Sequence, residues 1–244
     1  LKHLVIPDVQ AKPGISNKFL EAIGRYAAEK RPDRIICLGD FADMASLSSY
    51  DKGKKSFEGR RYLADIDAAK AAMEVLMTPI AKVAGYRPTL DLTLGNHEHR
   101  IVRATELQPE LDGVLSLEQL EYESFGWRVH EFLRPVQRDG VMYAHYFTSG
   151  VMGRPITTAS ALLAKKHMSC VAGHQQGKQI AYATRADGQT ITGMIVGSCY
   201  EHEEDYLSPQ GNKHWRGIVM LHEVRAGTFD EMFVSLRYLR AKFR

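Results

Sequence analysis

Five apolar runs in this chain each stop at a side chain able to hold a metal ion. Leu4-Val5-Ile6 leads to Asp8, and Ile35-Ile36-Cys37-Leu38 leads to Gly39-Asp40. The run Leu90 to Leu94 leads to Gly95-Asn96-His97-Glu98. Val141-Met142-Tyr143 leads to His145, and Cys170-Val171-Ala172 leads to Gly173-His174. Short apolar runs bounded by turn residues read as buried strands. In α/β sheets, ligands gather just past the carboxyl ends of such strands. One buried Asp or His carries little weight. Five strand-end ligands, three of them beside a glycine, point to one shared metal centre.

The ordered set resembles the calcineurin-like metallophosphoesterase superfamily, whose pattern runs Asp-x-His, Gly-Asp-x-x-Asp, Gly-Asn-His-Asp/Glu, a lone His, then Gly-His-x-His. The matching positions are Asp8-Val9-Gln10, Gly39-Asp40-Phe41-Ala42-Asp43, Gly95-Asn96-His97-Glu98, His145 and Gly173-His174-Gln175-Gln176. Gly-Asn-His-Glu is the most specific piece. The resemblance implies one ion held by Asp40, Asn96, His145 and His174, with Asp40 bridging to another. That other site would use Asp8, Gln10, Asp40 and Gln176. Two imidazoles of the family pattern are amides here, both on the same ion. An oxygen-rich set favours hard cations. Mn²⁺ is therefore expected first, with Mg²⁺, Fe or Zn²⁺ as alternatives and one or two divalent ions per chain. The amide-bearing site could bind weakly, stay empty, or mark lost catalysis.

The same resemblance casts His97 as the group that protonates the leaving oxygen or stabilises the transition state. It casts Asp43 as the carboxylate that sets the His97 tautomer; a helix cap before Met44-Ala45 is the competing reading. Protein phosphatases of the superfamily carry an Arg directly after this second Asp, and here Met44 stands there. That argues against a protein phosphatase and favours phosphodiesters over phosphomonoesters. Arg100 is a candidate substrate clamp from a helix start, or else a solvated helix residue; His99 offers the same choice and is read as a solvated helix residue.

The expected activity is metal-dependent hydrolysis of a phosphate ester. Nucleic acid is one candidate diester, because the superfamily has a nuclease branch and the Asp-x-Gln form looks like versions encoded by phage and prophage. The alternatives are a phosphomonoesterase and a catalytically dead module that binds phosphate or nucleic acid. His202-Glu203-Glu204-Asp205 reads as a solvated loop, with access to the site as the alternative. Trp215 and Tyr206 are read as core or rim packing, with base stacking as the alternative. The basic, aromatic-bearing stretch 237–244 is either a nucleic-acid contact or a frayed amphipathic end. His3, His130, His167 and His222 match no motif and read as structural or exposed.

These residues need a scaffold of alternating elements. Leu4–Pro7, a helix from Ser16 or Asn17 to Lys30, and Arg34–Leu38 form a β-α-β unit, which implies a parallel pair. A polar loop over Asp43–Gly59 leads to a helix over Arg60–Ala84, which Pro79 would kink, and then to strand Thr89–Leu94. Helical pieces follow over His97–Glu123, broken near Pro109 and Gly113. The later half reads as strands over Arg128–Phe132, Val141–Tyr146, Ser169–Ala172, Gln179–Thr184, Thr190–Gly197, Gly217–Glu223 and Phe229–Leu236. One helix, Ile156–His167, interrupts them, and Ala186-Asp187-Gly188 reads as a hairpin turn. Two packed sheets flanked by helices satisfy both halves. The family resemblance makes this a four-layer αββα sandwich of two mixed β-sheets, in one α/β domain over 1–244.

Composition is that of an ordinary globular chain with a formal charge of +3, which does not by itself indicate nucleic acid. Cys37, Cys170 and Cys199 show no zinc-type spacing and read as small core residues of a reducing compartment. No apolar run approaches a membrane span, and the start has no signal-peptide anatomy. The expected location is cytoplasmic (host cytoplasm for a phage-encoded protein), with no membrane partner. Nothing in the sequence sets the oligomeric state.

Overall fold

A computed structural model describes residues 1–204 and 210–243. In chain order its strands begin β1 (His3–Ile6), β2 (Arg34–Cys37), β3 (Thr89–Thr93), β4 (Arg128–His130), β5 (Val136–Arg138) and β6 (Val141–Ala144). They continue β7 (Thr148–Ser149), β8 (Arg154–Pro155), β9 (Cys170–Ala172), β10 (Lys178–Thr184), β11 (Thr190–Val196), β12 (Gly217–Arg225) and β13 (Thr228–Ser235). The helices are α1 (Lys18–Lys30), α2 (Tyr62–Ala81), α3 (His99–Leu107), α4 (Ala159–Lys166) and α5 (Leu236–Lys242).

Two mixed sheets dominate. The first has six strands in the order β13-β12-β1-β2-β3-β4, and the second has five in the order β10-β11-β9-β6-β5. Strands β1 to β4 run parallel, as do β6, β9 and β11, while β5, β10, β12 and β13 join antiparallel. The central strands β1, β2, β6 and β9 are mostly apolar on both faces because both faces are covered. In β1, Leu4 and Ile6 face the helices, whereas Val5 faces the other sheet, packing with Ile36, Leu38, Tyr143, Val171 and Val196. Phe19, Leu20 and Ile23 of α1 and Met73 and Leu76 of α2 cover the outer face of the first sheet. Leu162 of α4 covers Cys170, Ala172 and Ile195 on the outer face of the second. The layers are therefore helix, sheet, sheet, helix. No helix among the described residues is long and apolar enough to cross a membrane.

Local chemistry explains most boundaries. Helix α1 ends where Arg31 turns left-handed (φ 47°) and gives its N–H to Ala27 O at 2.8 Å, just before Pro32. Thr158 caps α4 through its side chain, which accepts from Ala161 N at 3.2 Å.

Several expectations need correction. Strand β5 was not anticipated: Val-Gln-Arg carries one apolar side chain, and only its antiparallel pairing with β6 makes it a strand. The two-residue ladder of β7 and β8 is too short to leave a pattern. Helix α2 ends at Ala81 rather than residue 84, and it contains Pro79. The tail is not frayed. Ser235 caps α5 through a bond from Tyr238 N at 3.2 Å, and Leu236 and Leu239 are buried. Arg25 Nη1 donates to Phe243 O at 2.8 Å, and Lys242 Nζ lies 2.5 Å from Glu29 Oε1. Arg244 lies outside the described residues.

The sandwich also buries ionic groups. Asp91 on β3 accepts from Arg138 Nε at 2.7 Å and from Arg138 Nη2 at 2.5 Å, and its Oδ1 lies 2.8 Å from His130 Nε2. His3 Nδ1 meets the Tyr143 hydroxyl at 2.7 Å, and its Nε2 meets Asp139 Oδ2 at 3.0 Å. Burial raises the Asp91 carboxyl, but His130 and Arg138 outweigh it and hold it at about 2. A free Asp titrates near about 4, so this group's contribution is complete above that pH. It is lost as pH falls toward the folded value. Asp91→Ala is expected to cost about 3 kcal/mol near neutral pH, because Arg138 loses its partner. Urea unfolding should show this difference shrinking between about pH 4 and pH 2.

Candidate metal centre

The parallel registers bring the five strand ends to one edge of the sandwich. Ile6 pairs with Cys37, Cys37 with Leu92, and Ala144 with Ala172, so the residues that follow these strands emerge side by side. Three of the candidate ligands sit in left-handed backbone: Gln10 (φ 48°), Asp40 (φ 48°) and His174 (φ 64°). Such conformations are costly for non-glycine residues and collect where geometry matters more than comfort. Backbone bonds hold them: Val9 N and Gln10 N donate to Asp40 O at 3.1 and 2.8 Å, and Gly173 N donates to His145 O at 2.9 Å. His174 N donates to Asp8 Oδ1 at 3.1 Å, tying the second sheet to the first.

Asp40, His145 and His174 each offer a ligand atom within 4.8 Å of the others. His145 Nδ1 lies 2.8 Å from Leu38 O, a carbonyl that only accepts, so this nitrogen carries a proton and Nε2 is the one that faces the cluster. That Nε2 lies 3.3 Å from Asp40 Oδ2 and 2.9 Å from Asn96 Oδ1. A proton on Nε2 satisfies these oxygens, and a divalent cation could take that proton's place. Asp40 Oδ1 also accepts from His97 N at 2.8 Å.

Electrostatics point the same way. Burial opposes ionisation of Asp40, but His145 and His97 hold its carboxyl well below the usual range. Burial pushes Asp8 up to about 7, with Asp40 adding to the rise. Burial lowers His145, but Asp40 dominates and raises it to about 9. Burial takes His174 down to about 4, which leaves it neutral and able to coordinate. Two buried carboxylates, a neutral His174, and the His145 ring and Asn96 amide beside them are the ligand types a divalent cation takes, and such a cation would displace the proton from His145.

The remaining candidates fall around this cluster. Gln10 is buried, and its Oε1 has no hydrogen-bond partner among the described residues. An orphaned buried carbonyl is costly, and a cation would satisfy it. Gln176 differs, because its Oε1 accepts from the Tyr200 hydroxyl at 2.8 Å. His97 Nδ1 lies 2.9 Å from Asp43 Oδ1, within ion-pair distance though not aligned as a hydrogen bond. Its Nε2 lies 3.7 Å from Asp40 Oδ2. Burial works against a charged His97, but Asp40 and Asp43 prevail and raise it. Arg100 is neither a solvated residue nor wholly free to clamp. Its Nη1 donates to Asp43 O at 2.9 Å and lies 3.5 Å from Asp43 Oδ1.

Three features were missed or misjudged in the sequence. Glu98 is fully buried and accepts from Asp40 N (3.0 Å), Phe41 N (2.7 Å), Ala42 N (3.0 Å) and Gly95 N (2.9 Å). Its place in Gly-Asn-His-Glu was a signal, but an acidic fourth residue does not announce what it binds. Glu204 is buried, not solvated: Lys12 Nζ lies 2.9 Å from its Oε1 and 3.8 Å from Asp43 Oδ2, and His202 Nε2 also meets Glu204. The loop folds back, which a charge run cannot reveal. Tyr146 stands 4.8 Å from the His174 ring, centre to centre. Trp215 is away from the cluster, edge-on to Phe233 at 5.3 Å, with Lys178 Nζ over its ring at 5.2 Å. Asp205 and Tyr206 lie outside the described residues.

Asp40, Asn96, His97 and His174 line a cavity of about 1140 Å³ that also takes in Gln10, Lys12, Arg100 and Tyr146. No family model matches this sequence. No curated protein matches it either. Among solved structures, Yfce, a phosphoesterase from E. coli, resembles this chain at 13% identity and a TM-score of 0.43, covering 97% of this chain and 100% of that one. So low a score leaves the activity to be argued from the site itself.

Glu98 supports Asp40 from behind, so Glu98→Gln is expected to weaken Mn²⁺ binding by about tenfold. Isothermal titration of the variant against the parent checks this.

Proposed function

We propose that the chain is a metal-dependent phosphoesterase that hydrolyses phosphodiesters in preference to monoesters. The observation that carries this reading is the convergence of Asp40, His145 and His174 within 4.8 Å, with His97 beside them and outside the ligand set. Asp40, Asn96, His145 and His174 would hold one divalent ion. Asp8, Gln10 and Gln176, sharing Asp40, would hold a second more weakly, because the Gln176 carbonyl already serves Tyr200. A bound ion supplies Lewis acidity, drawing charge off the phosphoryl oxygens and making water a better nucleophile near neutral pH.

The chain's own residues do the rest. His97, whose protonated form Asp40 and Asp43 favour against the effect of burial, gives its proton to the leaving oxygen as the P–O bond breaks and a water oxygen joins phosphorus. Asp43 orients the imidazole through Nδ1, and Arg100 and Lys12 hold Asp43 in place. The preference for diesters is supported by Met44. It fills the position of the expected phosphate-clamping Arg, is fully buried, and has a left-handed backbone (φ 50°). A monoester's extra charge would meet no cation there.

With Mn²⁺ added, bis-p-nitrophenyl phosphate is expected to turn over faster than p-nitrophenyl phosphate. His97→Ala should lower kcat by about 10²–10³ while calorimetry shows unchanged Mn²⁺ stoichiometry. No turnover with any divalent ion, despite metal binding, would identify a binding module instead. Gln10→His combined with Gln176→His is expected to add a second tight ion per chain and to shift preference toward Zn²⁺. An unaltered stoichiometry and selectivity on metal analysis would show that these two side chains do not face a metal site.

A further inference from the structure

The cavity is larger than the reaction needs. At about 1140 Å³ it exceeds the roughly 300–1,000 Å³ typical of small-molecule sites, and a small diester would occupy only its floor. Its far rim is formed by the loop before α2 and by the outer face of α3, and Tyr50, Arg61 and Arg103 all line it. All three are exposed, Tyr50 by 81 %.

Most other rim charges are neutralised. Arg60 Nη1 binds Asp51 Oδ2 at 2.9 Å and Ala45 O at 3.0 Å, and Lys54 pairs with Asp51 at 2.9 Å. Lys12 pairs with Glu204. Arg61 spends one nitrogen on the neighbouring Arg60 carbonyl at 2.9 Å. Neither Arg61 nor Arg103 meets a carboxylate among the described residues. The turn that holds His97 runs straight into α3, where Arg100 N bonds His97 O at 3.1 Å. Residues three apart on such a turn are neighbours. His97, Arg100 and Arg103 therefore form a row leading away from the reacting end, at about 4.5 Å of rise per step.

Uncommitted guanidinium groups beside an aromatic face open to solvent match one class of ligand. Cations track the phosphates of a single strand, and an exposed ring stacks an unpaired base. A duplex hides its base faces and could not use Tyr50. We propose that this rim binds a single-stranded nucleic acid, with a base on Tyr50 and flanking phosphates on Arg61 and Arg103, so that a diester of the strand reaches the metal centre. The proposal rests on the phosphodiesterase reading for its reaction, though not for its binding. The basic C-terminal helix is not part of it: Arg240 and Lys242 pair with Glu201 and Glu29, and no α5 residue lines the cavity.

The test is fluorescence anisotropy with a labelled oligothymidylate of about twelve nucleotides, run in EDTA so that binding is read without hydrolysis. The oligonucleotide is expected to bind at least about tenfold tighter than a labelled dinucleotide or a duplex of equal length. Tyr50→Ala should weaken it by about tenfold. Arg61→Ala with Arg103→Ala should flatten the slope of log affinity against log salt by about 1.4, and Arg61→Lys with Arg103→Lys should restore it. Glu58→Gln should tighten binding, since this rim carboxylate opposes a phosphate. Equal affinity for dinucleotide and oligonucleotide, tighter binding of duplex, or an unchanged salt slope in the double alanine variant overturns the rim assignment. If bis-p-nitrophenyl phosphate still turns over in that case, the phosphodiesterase reading survives alone. Rim-dependent oligonucleotide binding without ester turnover has the opposite meaning: the rim stands and the reaction does not.

Discussion

The site depends on a carboxylate that never faces the cavity. Glu98 is buried without access to solvent, and a buried carboxylate is costly unless its oxygens are satisfied. It is satisfied by four backbone N–H groups, three from the loop after β2 and one from Gly95 after β3. Presenting three successive N–H groups to one acceptor curls that loop and helps hold Asp40 left-handed. The two loops then press together so closely that a Cβ on Gly39 would sit 2.6 Å from Gly95 N and Thr93 O. A Cβ on Gly95 would strike Asp40 itself. The two glycines and Glu98 are therefore parts of one device. It brings His97 N to within 2.8 Å of Asp40 Oδ1 and aims the other oxygen at His145.

That device serves only half of the site, because the two imidazoles come from the second sheet. What sets the distance between halves is the apolar layer between the sheets, with Val5, Ile36 and Leu38 against Tyr143, Val171 and Val196. Interiors are packed to crystal-like density and do not slide continuously. The bonds from His174 N to Asp8 and from His145 Nδ1 to Leu38 O then fix the register across the gap. A cation at Asp40 would thus be gripped by two independently built edges. Its ligands are placed by the packing of the whole sandwich more than by any one loop.

This division explains what could be read in the sequence. The central strands were legible because they are short and mostly apolar, and the ligands were legible because each follows such a run at once. The helix-sheet-sheet-helix layering followed from the family resemblance and from the alternation of elements. What stayed hidden is what depends on distant partners. Val136 to Arg138 becomes a strand only because β6 lies beside it. The stretch after Ser235 becomes a docked helix because Leu236 and Leu239 find the first sheet's outer core. Glu204 looked like part of a solvated acidic run until Lys12, nearly two hundred residues earlier, proved to be its partner. Glu98 was inside a recognised motif, yet three of the four N–H groups it binds belong to another one. Period and spacing report local burial, and they are silent on pairs closed by the fold.

The position after Asp43 shows how such closure shapes chemistry. An arginine there would need to reach the cavity, but Met44 is fully buried in left-handed backbone, facing the helix-side core. The cation nearest that position is Arg100, and its Nη1 is spent on the carbonyls of Asp43 and Met44. It therefore positions the loop that carries Asp43, and through Asp43 the imidazole of His97. Positive charge for a substrate has to come from a bound ion at the floor or from guanidinium groups farther out. A floor rich in carboxylates and poor in free cations suits a phosphate with only one charge to neutralise. The exposed Arg61 and Arg103, farther out on the cavity lining, suit a substrate with further phosphates at a distance. On the proposed reading, the geometry that withholds a clamp from the reacting group is the same geometry that leaves the outer part of the cavity to a longer substrate.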